Sequence, residues 1–135
     1  MRILLSRTAT ASDFVKKVEE LSGENLMACY QCGKCSAGCP IVSDMDVLPN
    51  QLLRLLQLGD EQAAKECRTA WLCAACQTCV SRCPKGINIA RVAEAVRAIV
   101  LRSGVDRVDV VKLSEEAMAE VPQQGLVSGL RKYTS

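Results

Sequence analysis

Residues 29–40 read CYQCGKCSAGCP and residues 73–84 read CAACQTCVSRCP. All four cysteines and the proline of the first stretch recur 44 residues later in the second, from Cys29 to Cys73 and from Cys39 to Cys83. Each copy has the form C-x2-C-x2-C-x3-C-P. Cysteines at i, i+3 and i+6 fall on one side of a tight, helix-like loop. The fourth leaves that loop, and the proline behind it blocks regular helix. Two such loops in a chain of 135 residues imply one compact domain built around them, with flanking segments. Phe14, Tyr30, Trp71 and Tyr133 are the only aromatic residues. The core must therefore rest on Leu, Val, Ile and Ala, or be organised by something other than protein.

The cysteines point to the second alternative. There are nine: Cys29, Cys32, Cys35, Cys39, Cys67, Cys73, Cys76, Cys79 and Cys83. An odd number cannot close a disulfide framework. The N-terminal MRILLSRTATASDF does not read as a secretory signal. A cytoplasmic location follows as the expectation, and there thiols serve metals rather than disulfides. Structural zinc sites also use C-x2-C pairs, but they present two ligands per knuckle, whereas here three follow one another, twice, in a chain without histidine. A dithiol redox motif would need a βαβ setting that is missing here. The spacing matches the run that holds [4Fe–4S] clusters in two-cluster ferredoxins, where the last cysteine of each run serves the other cluster. Two [4Fe–4S] clusters are therefore predicted. Cys29, Cys32, Cys35 and Cys83 would ligate the first, and Cys73, Cys76, Cys79 and Cys39 the second. Small residues in the loops, among them Gly33, Ala37, Gly38, Ala74 and Ala75, let backbone N–H groups approach the sulfur atoms and tune the potential. The formal charge is +2. Two clusters with their thiolates would bring it to roughly −2, so the sequence carries no electrostatic case for a nucleic-acid partner.

The rest of the pattern is helical. Ser12 is placed to cap a helix with apolar positions at Phe14, Val15, Val18 and Leu21, ending at Gly23. Pro49 opens a second helix and Gly59 stops it, with leucines at 48, 52, 55 and 56. Asp60 suits the N-cap of a short helix through Cys67. Asn88 caps a long helix striped by Ile89, Val92, Ala93, Val96, Ile99 and Val100, ended by Ser103-Gly104. Residues 106–120 read as one further helix closed by Val121-Pro122, and QQGLVSGLRKYTS reads as a tail. MRILL is a candidate short strand. The fold class is mainly α, an α-helical ferredoxin-like domain, divided as residues 1–23 (N-terminal segment and helix), 24–104 (dicluster domain) and 105–135 (C-terminal helix and partner-docking tail). No run of apolar residues is long enough to span a membrane.

Several residues carry two readings. Cys67 reads as a small buried hydrophobe outside the eight ligands, and its role stays open. Trp71, two residues before Cys73, reads as core or as a shield for a cluster. Lys34, Arg82 and Lys85 flank the motifs and either offset cluster charge or simply solvate. The leucine stretch 48–58 reads as core, or in part as a partner surface.

CYQCGKCSAGCP, the connector PNQLLRLLQLGD and the entry WLCAACQTCVSRCPKGINI together resemble the C subunit of heterodisulfide reductase and its relatives. The resemblance runs from about Cys29 to Val100, and VPQQGLVSGLRK is similar too. More distantly, the same module resembles the iron–sulfur proteins of succinate and glycerol-3-phosphate dehydrogenases. The resemblance implies a subunit that passes electrons between two others. One is a flavin-containing, cluster-bearing protein like the A subunit of heterodisulfide reductase. The other is a catalytic CCG-motif protein like its B subunit. The present chain has no adjacent cysteine pair and no G-x-G-x-x-G run. Disulfide chemistry and flavin binding are thus expected on the partners, and no catalytic residue is expected here. The competing functions are an iron–sulfur subunit of a sulfur-oxidising or quinone-linked oxidoreductase, a free ferredoxin, and a structural zinc module.

Overall fold

The computed structural model describes residues 12–135, the side chain of Val110 excepted. The candidate strand at MRILL lies outside them. All regular structure among the described residues is helical: α1 (Asp13–Ser22), α2 (Lys34–Ala37), α3 (Pro49–Leu58), α4 (Glu61–Glu66), α5 (Thr69–Leu72), α6 (Thr78–Arg82), α7 (Ile89–Leu101), α8 (Glu115–Glu120) and α9 (Gln123–Tyr133). The fold is mainly α, as the pattern predicts. Among the described residues no helix is long and apolar enough to cross a membrane.

The chain divides into two compact units, Met1–Val96 and Arg97–Ser135, with α7 running through the boundary. In the first unit the punctuation residues act as expected. The Ser12 hydroxyl accepts from the Val15 N–H at 3.3 Å, and Gly23 closes α1 in the left-handed region at φ 69°. Phe14, Val15 and Val18 are buried, but Leu21 is 44% exposed. At 100° per residue Leu21 falls at the edge of the stripe, and Ser22 takes the inward place. That buried hydroxyl is satisfied by the Val18 carbonyl at 2.6 Å.

Helix α3 is the centre of this unit. Pro49 occupies its first turn, the Leu48 N–H donates to Gln51 Oε1 at 2.9 Å, and Gly59 ends it at φ 70°. Leu52, Leu53, Leu55 and Leu56 are all buried, which makes the leucine stretch core; Leu48 and the half-buried Leu58, at its two ends, stay on the rim. Leu53 is outside the predicted spacing and is nonetheless buried, because α2, α4 and the 3-10 turn Leu26–Ala28 all pack on α3. Gln57, also buried, donates from Nε2 to the carbonyls of Leu26 at 2.8 Å and Cys29 at 2.9 Å. It ties α3 to the entrance of the first cysteine loop. Asp60 caps α4 through the Ala63 N–H at 3.1 Å. Cys67 ends α4 with its thiol buried and donating to the Ala64 carbonyl at 3.3 Å, as a small apolar residue would sit. Trp71 is buried in α5. Asn88 Oδ1 caps α7 by accepting from the Arg91 N–H at 3.2 Å, and Ile89, Val92, Ala93 and Val96 face inward. Ile99 and Val100 are only half-buried.

The second unit departs from the sequence reading twice. Residues 106–120 do not form one helix. A 3-10 turn at Val110–Lys112 precedes α8, because Ser114 starts a new helix by accepting from the Ala117 N–H at 3.2 Å. Val121 is extended, as a residue before proline must be. The segment read as a tail is α9. Gly125 and Gly129 weaken its helical signal, but Leu126, Leu130 and Tyr133 line one groove with Val108 and Leu113. Its end is held by Arg107 N–H on the Tyr133 carbonyl at 2.8 Å and by Ser135 on Asp106.

Asp46 fixes the start of α5. Burial works against its carboxylate, but the N–H groups of Arg68, Thr69 and Val47 and the Thr69 hydroxyl outweigh that and hold its pKa below the usual 3.8. A depressed carboxylate contributes stability above the unfolded pKa, near 4, and loses it as pH falls through the lower folded value. Asp46→Asn is therefore expected to melt lower than the native chain at pH 7, with the gap closing on acidification below about pH 4; a pH-independent gap would contradict this. Gln57→Ala strands two carbonyls and is expected to cost about 1–3 kcal/mol in denaturant unfolding.

Candidate metal centre

The two cysteine loops share one backbone. Gln31 and Ala75, each just before the second cysteine, have φ of 62° and 53°. Gly33 and Gln77, each just after it, have φ of 76° and 64°. Both pairs are separated by the 44-residue offset of the sequence repeat, so the conformation is repeated along with the cysteines. Left-handed conformations at non-glycine residues cost about 1–3 kcal/mol each and persist where the surroundings over-determine them. Among the described residues Gln31, Ala75 and Gln77 are the only such cases, and all three flank Cys32 or Cys76. A concave nest of backbone N–H groups, the form such left-handed residues can build, suits the sulfur atoms of an anionic cluster.

Each of these stretches leads into a short helix that carries the third cysteine, Cys35 in α2 and Cys79 in α6. These two helices pack on each other. Burial pushes both thiols above the ordinary value, against the opposing pull of nearby hydrogen bonds. Cys32 and Cys76, the second cysteines, are exposed. The Cys76 thiol is pulled down by its hydrogen bond to Thr78, whose Oγ1 lies 3.4 Å away.

The fourth cysteines stand away from their own loops. Cys39 lines a cavity together with Cys73, Cys76 and Cys79 of the other loop. This cavity encloses about 480 Å³ including its open mouth, and its other walls include Ile41, Met45, Leu52, Ile89 and Ala93. Around the first loop, Tyr30 is raised by desolvation of its hydroxyl, then by its hydrogen bond to Cys32 and the fields of Cys32, Cys83 and Cys29. The Cys83 Sγ accepts from the Ile87 N–H at 3.4 Å. Among the described residues no three Cys, Asp or Glu side chains converge on one ion-sized point. Four of the thiols line the walls of the cavity around the second loop. The residues fit clusters on two independent counts: the repeated left-handed backbone at both loops, and an apolar cavity lined by four thiols.

Polar side chains that the cysteine pattern does not reveal hold the loops. Gln31 Nε2 donates to Cys29 Sγ at 3.4 Å, and Gln31 Oε1 accepts from Asn50 Nδ2 at 3.2 Å. The Ser36 hydroxyl donates to Asn50 Oδ1 at 2.5 Å and accepts from the Asn50 N–H at 3.0 Å. The first turn of α3 is thereby pinned to the first loop. The second loop is pinned to α7 in the same manner, Asn88 Nδ2 donating to Gln77 Oε1 at 2.9 Å. Glu24 adds a link from the approach to the first loop, accepting from the Asn88 N–H at 3.1 Å with Arg91 at 3.8 Å. The only signal available in the sequence was that Asn50 and Asn88 each stand at the start of the helix following a motif.

Residues 25–87 match the family model described as a 4Fe-4S dicluster domain. The iron–sulfur C subunit of the CoB–CoM heterodisulfide reductase of Methanopyrus kandleri is 34% identical over 94 residues, 69% of this chain and 49% of that protein. The C subunit of the H2:CoB–CoM heterodisulfide, ferredoxin reductase of Methanothermobacter marburgensis is 28% identical over 92 residues, 68% of this chain and 50% of that one. A protein of Archaeoglobus profundus described as like the heterodisulfide reductase C subunit is 32% identical over 84 residues, 62% of this chain and 45% of that one. The chain spans about half the length of the curated relatives it matches. Backbone and kinship meet in one reading: residues 25–87 are a 4Fe–4S dicluster domain holding two [4Fe–4S] clusters, in a chain similar to the C subunits of the heterodisulfide reductases.

Proposed function

We propose that this chain is the electron-transfer subunit of a heterodisulfide reductase-like complex in the cytoplasm. It would relay electrons between a flavin-containing, A-like partner and a CCG-motif, B-like partner. The observation that carries the proposal is the cavity that the fourth cysteine of the first loop lines with the first three of the second. Cys39 shares a cavity with Cys73, Cys76 and Cys79, and Cys83 occupies the matched position of the repeat. This supports ligation of the first cluster by Cys29, Cys32, Cys35 and Cys83, and of the second by Cys73, Cys76, Cys79 and Cys39. Two clusters ligated in this crossed manner lie side by side, as a relay needs.

When bound, each cluster supplies the uptake and release of one electron. The protein supplies the rest. Ile41, Met45, Leu52, Ile89 and Ala93 keep water from the second site. Gln31 and the Ile87 N–H place hydrogen bonds on thiolates of the first. Such donors favour the more negative, reduced form and raise the potential. The exposed Cys32 and Cys76, one on each loop, give each site a ligand at the surface where a partner can exchange electrons.

Anaerobic analysis is expected to find about eight iron and eight sulfide per chain; zinc without sulfide would end the redox reading. Cys39→Ala is expected to lose the cluster of the second loop and to retain about four iron and four sulfide, with the first-loop signal intact by EPR. Loss of the first-loop cluster alone would overturn the crossed assignment. Co-expression with a CCG-motif partner is expected to yield a stable complex, and a chain that stays alone would count against the assembly.

A further inference from the structure

The two loops differ at one pair of matched positions in a way that their packing explains. Gly38 precedes Cys39 and Arg82 precedes Cys83, and the two positions correspond across the repeat. They also touch. A Cβ built on Gly38 would meet Arg82 Cδ at 2.5 Å, Nε at 2.7 Å and Cζ at 2.9 Å. The helices leading to them, α2 and α6, are matched and pack on each other. Gly38 and Arg82 are thus matched positions that meet where α2 packs on α6. The space there admits one side chain, and Arg82 fills it. The backbone at Gly38, at φ −103° and ψ −1°, is open to any residue, so a side chain there would displace the guanidinium rather than strain the backbone.

We propose that Arg82 tunes the cluster potentials: its guanidinium, laid over Gly38, the residue before Cys39, and carried by the residue before Cys83, favours the reduced form of the clusters on both sides. The proposal rests on the crossed cluster reading above. One-electron reduction takes each cluster with its thiolates from roughly −2 to −3, and a fixed cation beside the fourth ligand of each stabilises the added charge. Of the cations flanking the motifs, Arg82 is seated against the opposite loop, at Gly38. Its side chain is exposed, so the field is partly screened. The expected effect is a threefold to roughly tenfold change in the reduced-to-oxidised ratio at fixed potential, the upper figure being about 59 mV for one electron.

The test is an EPR-monitored redox titration of the full chain, prepared anaerobically and reduced with dithionite, after iron and sulfide assay of each variant. Arg82→Gln is expected to hold both clusters and shift at least one to lower potential, with the shift shrinking at high salt. Arg82→Lys, which keeps the charge, is expected to restore most of the native value. Gly38→Ala is expected to push the guanidinium aside and shift the potential in the same direction while leaving Arg82 in the chain. The exchange Gly38→Arg with Arg82→Gly seats the cation from the other loop and is expected to recover the native potentials. Fully loaded Arg82→Gln with native potentials overturns the role of Arg82, as does Arg82→Lys shifting as far as Arg82→Gln. Should Arg82→Gln not hold clusters, native potentials in loaded Gly38→Ala overturn it equally. A native chain that takes up no iron and sulfide removes the cluster reading itself, a separate outcome.

Discussion

The proline behind each fourth cysteine is the constraint on which the rest of the arrangement depends. Pro40 and Pro84 cannot continue the short helices α2 and α6, and the residue before a proline is driven to extended backbone. Cys83 adopts that conformation, at φ −80° and ψ 116°. A thiol that leaves its loop in this way can be presented to the neighbouring one, as the proposed exchange of fourth cysteines requires. Cys39 lines the cavity of Cys73, Cys76 and Cys79, and the matched helices α2 and α6 pack on each other.

The larger helices serve this exchange. α3 carries the leucines of the core, yet its first turn is bonded through Asn50 to Gln31 and Ser36, and its last through Gln57 to the approach of the first loop. α7 does the same for the second loop through Asn88. Hydrophobic burial holds these helices in place without direction, and the asparagine and glutamine bonds convert that burial into a fixed loop geometry. The dressing is unequal. Gln31 and Ser36 of the first loop correspond to Ala75 and Val80 of the second, so the second site is bounded by apolar atoms where the first has polar support.

The helices with strong punctuation were legible residue by residue. Ser12, Gly23, Pro49, Gly59, Asp60 and Asn88 all act as their chemistry dictates. The misreadings lie where the signal is local and weak. Ser114 divides what looked like one helix over 106–120, and two glycines masked α9. Leu21 was counted inward because spacing does not say how wide a face the neighbours cover. The cysteines were legible because cluster ligation demands a rigid spacing. The left-handed residues were not, since Gln31, Ala75 and Gln77 are not types that announce a positive φ.

The sequence by itself determined that two matched cysteine loops exist, that helices surround them and that they hold two iron–sulfur clusters. Each of these depends on near-neighbour spacing, which is written along the chain. The tertiary structure decided what crosses from one loop to the other: the cavity that Cys39 enters, the bond from Asn50 to Gln31, and the seat of Arg82 on Gly38. Those depend on how matched segments 44 residues apart meet in space, and a repeat in sequence does not reveal which of its positions meet between the copies.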